Sequence, residues 1–137
     1  MTSGTYMAKV QIIQNRLLKV LTSKPYRYST DTLHNDLKIL KVQEIFTQEI
    51  LSFMHKFRNG KLPDIFKEYF KTFADIHTIN TRDNNMRYQL PLASNKFGEN
   101  TIKFRGPQIW NLLDIDIKET EKLKQFRNKF KAIYFPE

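Results

Sequence analysis

Apolar residues recur at three- and four-residue intervals over most of this chain, and that spacing predicts a mainly helical fold. Val10, Ile13, Leu17 and Leu21 line one face of a helix placed near residues 6–22, and this face is expected to be buried. Pro25 ends that helix. Ser29 or Thr30 caps a short second helix carrying Leu33, Leu37 and Leu40, with Asp31 near its positive end. A third helix is expected from about Val42 to Asn59, with Phe46, Ile50, Phe53, Met54 and Phe57 as its apolar face and Gly60 as its stop. Pro63 fits the first turn of a fourth, carrying Ile65, Phe66, Tyr69 and Phe70, so residues 42–73 read as a helical hairpin.

The pattern changes after Ala74. Asn80, Asn84 and Asn85 favour a loop. Beyond it Tyr88, Leu90 and Leu92 alternate, as do Ile102 and Phe104, with Gly98 in the polar stretch between them, and this alternation predicts a small β-hairpin. Pro91 places the first strand at an edge. Gly106 and Pro107 end the second strand and open a short helix with Ile109, Trp110 and Leu113; a last helix, about 119–134, buries Leu123, Phe126, Phe130 and Ile133. The expected architecture is one compact, mainly α domain over 1–137, of about five or six helices with a small β-hairpin, residues 1–7 forming a disordered tail.

Composition supports a packed core: 40% of the 137 residues are apolar, including 11 Phe, 6 Tyr and one Trp. The absence of cysteine removes thiolate metal sites, cysteine nucleophiles and disulfides, and fits an intracellular protein of nucleus or cytoplasm. No apolar run approaches the roughly 20 residues that span a bilayer, and the N-terminus lacks an apolar signal segment, so no membrane partner is expected.

Charge points to a polyanion. Against 14 Asp and Glu stand 23 Lys and Arg, a formal net charge of +9. Residues 1–30 hold Lys9, Arg16, Lys19, Lys24 and Arg27 with no acid before Asp31. A second basic run comprises Lys118, Lys122, Lys124, Arg127, Lys129 and Lys131. On helices, Lys9, Arg16 and Lys19 share an arc beside the apolar stripe, and Lys124, Arg127 and Lys131 form a row beside Phe126 and Phe130. Arg82 and Arg105 stand near the loop and hairpin, where the guanidinium fork can grip a phosphate; for Arg105 a structural role next to Gly106 and Pro107 is the competing reading. The candidate nucleic-acid-binding residues are Lys9, Arg16, Lys19, Lys24, Arg27, Arg82, Arg105, Lys124, Arg127 and Lys131.

Catalytic signatures are missing. His34, His55 and His77 sit about twenty residues apart with no nucleophile motif and no helical pair for zinc. Asp114 and Asp116 are the closely spaced aspartates, and a two-metal centre needs further converging carboxylates. The four glycines lack the spacing of a phosphate-cradling loop. No metal, cofactor or small-molecule substrate is expected.

The order of short motifs carries a resemblance. Gln11-Ile12-Ile13-Gln14-Asn15-Arg16 is followed by Ser29-Thr30-Asp31-Thr32-Leu33-His34, Phe53-Met54-His55-Lys56, Thr81-Arg82, and Phe104-Arg105-Gly106-Pro107-Gln108-Ile109-Trp110-Asn111. This series resembles the region C-terminal to the catalytic palm of non-LTR retrotransposon reverse transcriptases, over residues 8–135. One departure is Asn111-Leu112-Leu113-Asp114, where relatives usually carry a proline after the leucine. The family's catalytic pair of adjacent aspartates is absent, so the resemblance implies a non-catalytic accessory region that helps hold template RNA and DNA, not an enzyme. Met1, just before the resemblance, points to an isolated piece of a retrotransposon.

Two functions follow as expectations. The first is backbone binding of RNA, DNA or their hybrid with little base readout, marked by steep salt dependence. The alternative is a structural or protein-interaction fragment that packed against a missing reverse transcriptase core, with or without present function, marked by an exposed apolar patch larger than a few hundred Å².

Overall fold

The computed structural model describes residues 3–76, 81, 85–90 and 101–136. Its elements are α1 (Ser3–Leu21), α2 (Thr30–Leu37), α3 (Val42–Arg58), a 3-10 turn (Asp64–Phe66), α4 (Phe73–Ile76), α5 (Ile102–Asn111), α6 (Ile115–Lys118) and α7 (Leu123–Tyr134). The chain forms two compact units, one of Met1–Phe46 with Lys131–Glu137 and one of Thr47–Phe130. α1 begins at Ser3, inside the stretch expected to be a tail.

The first unit is stitched by polar groups. α1 packs on α2 and turns Gln11, Gln14, Asn15 and Leu18 inward. The Val42 N–H donates to Gln11 Oε1 at 2.8 Å, and Gln14 Nε2 donates to the Leu40 carbonyl at 3.0 Å. Buried His34 donates from Nδ1 to the Ile39 carbonyl at 2.8 Å, while its Nε2 lies 3.2 Å from Asn15 Oδ1. Leu18, Leu33 and Leu40 complete this small core. The stripe expected to be buried is not. Val10, Ile13, Leu17 and Leu21 are 48–79% exposed, because the helix spends its inward face on hydrogen bonds that the neighbouring backbone and histidine require.

Three chain reversals share one geometry. After α1, α2 and α3 the chain closes with paired six-to-one and five-to-two backbone bonds, Lys24 to Lys19 and Ser23 to Val20, Ile39 to His34 and Lys38 to Asn35, Lys61 to Lys56 and Gly60 to Phe57. The left-handed residue is Ser23 (φ 54), Lys38 (φ 53) and Gly60 (φ 67) in turn. Ser29 caps α2 as expected, its hydroxyl accepting from the Thr32 N–H at 3.3 Å.

The second unit holds the aromatic core. Leu51, Met54, Trp110 and Phe126 are fully buried, and Trp110 stacks on Phe126 with centroids 5.7 Å apart. Its indole N–H donates to the Met86 carbonyl at 2.9 Å. Gly106 lies against Met54, where a Cβ would come within 2.6 Å of the sulfur, so the glycine permits close approach inside α5 rather than ending a strand. The expected fourth helix is replaced by the 3-10 turn, whose three-residue bonds bring Phe66, Tyr69 and Phe70 together with Phe53 and Phe57 on α3.

The expected β-hairpin is also overturned, and the fold among the described residues is all-α without a strand. Ile102 and Phe104 lie in α5, and residues 91–100 fall outside the described ones. Tyr88 pairs instead with Thr72 in an isolated antiparallel bridge, held by Phe73 N–H to the Arg87 carbonyl and Gln89 N–H to the Lys71 carbonyl, both 2.9 Å. That leaves the Tyr88 N–H and C=O facing the other way. There the Asn111 side chain takes both, accepting at 2.9 Å and donating at 2.8 Å. One carboxamide on α5 thus does what the second strand was expected to do.

Candidate nucleic-acid interface

The cations of the first unit are displayed by α1 and by the segment that folds back from its end. Lys9, Arg16, Lys24 and Arg27 are exposed and Lys19 is half-buried. Because the polar inward face of α1 is fixed by Gln11, Gln14 and Asn15, Lys9, Arg16 and Lys19 must emerge on the solvent side. Lys19 donates to the Tyr26 carbonyl and holds its ammonium 5.0 Å from the Tyr26 ring centroid, which pins the returning segment against the helix. Ile12, Asn15, Arg16, Lys19, Tyr26 and Thr30 line the resulting groove. Lys24 sits 4.9 Å from the Tyr28 ring and Lys9 sits 5.7 Å from the Tyr6 ring.

Residues 1–30 contain no acid. The first one, Asp31, is 2.8 Å from Lys41; that hydrogen bond and charge lower the Asp31 pKa and raise that of Lys41. Sequence reasoning found the cations but missed Tyr6, Tyr26 and Tyr28 among them. The signal was present in Lys24-Pro25-Tyr26-Arg27-Tyr28, where cation and aromatic alternate.

The C-terminal cations Lys124, Arg127 and Lys131 share α7 and differ in what they meet. Arg127 donates from Nε to Ser52 Oγ at 3.1 Å and lies 3.7 Å from Glu49, so its guanidinium is engaged on α3. Lys118 is buried, with Nζ 3.5 Å from the Asn111 carbonyl, and Lys129 donates to Thr120 Oγ1 at 2.9 Å. Lys124 is exposed, and Lys131 is half-buried within the first unit. Arg105 is half-buried on α5 and is not free. Arg82 lies outside the described residues.

No family model, curated protein or solved structure matches this chain. The character of the interface therefore rests on its own side chains. Among the described residues no three His, Asp or Glu side chains gather as a metal site needs, and no helix is long and apolar enough to cross a membrane. His34 is committed to the polar core described above. His55 donates from Nε2 to the Thr120 carbonyl at 2.7 Å and packs against Phe126. His77 lies outside the described residues. Asp114 takes the N-cap position of α6.

Proposed function

We propose that this protein is a non-catalytic nucleic-acid-binding accessory domain of the kind that follows the palm in non-LTR reverse transcriptases, and that it grips the phosphate backbone through its N-terminal unit. The observation that carries this reading is the acid-free segment 1–30 bearing Lys9, Arg16, Lys19, Lys24 and Arg27, with tyrosine rings beside three of these cations. Cations supply sequence-independent attraction to phosphates, and exposed rings such as Tyr26 offer a face for an unpaired base. Lys124 is exposed on α7, and Arg127 is already engaged by Ser52 and Glu49.

The test is fluorescence anisotropy of labelled single-stranded RNA, duplex DNA and an RNA–DNA hybrid at several salt concentrations. Binding tighter than about 10⁻⁶ M near physiological salt, with log K falling steeply as log salt rises, is expected. Arg16→Ala with Lys19→Ala and Arg27→Ala should flatten that slope by roughly two to three, whereas Lys124→Ala should change it by one or less. Feeble binding that is alike for all three ligands and unaffected by the triple change refutes the reading.

A second reading is favoured by one observation. The apolar stripe of α1 is exposed along its length, as expected of a module that packs against another protein.

A further inference from the structure

The stripe is continuous. At about 100° per residue, Tyr6, Val10, Ile13, Leu17, Val20 and Leu21 occupy an arc of roughly 100°, the width of an ordinary core-facing surface, yet all six are 48–79% exposed. Six such side chains present on the order of 500 Å² of apolar surface, toward the upper end of the roughly 300–600 Å² typical of a monomer's largest patch. The bonds of Gln11, Gln14 and Asn15 fix which side of α1 turns inward, and they leave the stripe uncovered.

The edges say what covers it. One edge carries Lys9 and Arg16, and α1 has no acidic residue at all. A second copy of the chain would bring these cations against their own kind. A lipid surface suits a helix with cations along both edges, but here the other edge is Gln14, whose side chain is spent on the Leu40 carbonyl inside the first unit. A helix of complementary pattern meets both conditions, laying its apolar ridge on the stripe and an acidic edge along Lys9 and Arg16.

We infer that the outer face of α1 is a docking site for an acidic-edged amphipathic helix of a partner protein. This rests on the second reading above and names its partner chemistry.

The probes are two designed peptides as long as α1, each with a leucine stripe at helical spacing, one edged with glutamate and the other with lysine. Titrated by anisotropy against the whole protein, the glutamate peptide should bind at least about tenfold tighter than the lysine peptide. Leu17→Glu, at an exposed position, should weaken it by about tenfold or more, and Lys9→Glu with Arg16→Glu should reverse the preference. Circular dichroism confirms that each variant is folded, and Val20→Glu provides a second probe of the stripe.

Equal binding of both peptides, still lost in Leu17→Glu, overturns the acidic partner while leaving the interaction reading standing. No binding of either peptide overturns the inference; if Leu17→Glu also leaves self-association and vesicle binding unchanged, the interaction reading falls with it. A concentration-dependent dimer lost in Leu17→Glu, or stripe-dependent flotation with phosphatidylserine vesicles, each without peptide binding, overturns the proposed occupant in favour of a second copy or a lipid surface.

Discussion

Replacing Asn111 tests how the second unit dispenses with a sheet. Tyr88 is 2% exposed, and its outward-facing N–H and C=O have the Asn111 carboxamide as partner at 2.9 and 2.8 Å. Removing that side chain leaves one donor and one acceptor without a protein partner. A buried orphaned group costs about 1–3 kcal/mol, so Asn111→Ala should lose on the order of 2–4 kcal/mol. Asn111→Asp separates the two bonds. Its carboxylate still accepts from the Tyr88 N–H but cannot donate to the Tyr88 carbonyl, so Asn111→Asp should lose about 1–3 kcal/mol through that one orphaned group. Urea melts followed by fluorescence suit the question, because the single tryptophan, Trp110, is fully buried one residue away and reports this unit. An unfolding free energy within about 0.5 kcal/mol of the parent's for Asn111→Ala or Asn111→Asp refutes the brace.

Other outcomes follow from single observations. Burial pushes the Tyr88 hydroxyl up to about 12, against the pull of Arg58, so absorbance titration should find it ionising after the ordinary tyrosines; stability should fall by on the order of 3 kcal/mol as pH rises from about 10 through 12. Lys38 holds a left-handed conformation that glycine adopts freely, so Lys38→Gly should raise stability by about 0.5–1 kcal/mol in thermal melts. Gly60→Ala should lower it by about 1 kcal/mol through backbone strain alone, since a Cβ there meets nothing within 4 Å.

Local signals were legible. The Ser29 cap, the bounds of α3 to within a residue and the stop at Gly60 depend on neighbours a turn or less away, and the four-residue spacing of Phe126 and Phe130 marked a face that is buried. What failed was non-local. Two alternating positions, Ile102 and Phe104, did not decide between strand and helix, and nothing near Tyr88 in sequence announced that Asn111 would serve as its partner. Gly106-Pro107 looked like a terminator but lies inside α5, where the glycine's value is the missing Cβ opposite Met54. In the candidate site the cations were legible and their partners were not: Arg127 meets Ser52 and Glu49 across more than seventy residues of chain. Much of the motif series, including Gln11, His34, Met54, Gly106 and Trp110, builds the fold, while the cations that carry the binding proposal lie mostly outside it.

The orientation of α1 is the largest departure, and it has a sharp consequence. Periodicity identifies an apolar face but not which face the tertiary structure takes; here the backbone groups of Val42 and Leu40 together with His34 select the glutamines. In a helix packed by its stripe, Leu17→Ala would cost about 2–5 kcal/mol and Gln11→Ala almost nothing. In this protein the order is reversed. Leu17 is 56% exposed, so its truncation should change stability by no more than about 0.5 kcal/mol, whereas losing the Gln11 acceptor from the half-buried Val42 N–H should cost about 1–2 kcal/mol. Far-UV circular dichroism during urea unfolding measures both. A larger loss for Leu17→Ala than for Gln11→Ala would mean that the stripe is covered within the chain itself, and the docking site on α1 would fall with it.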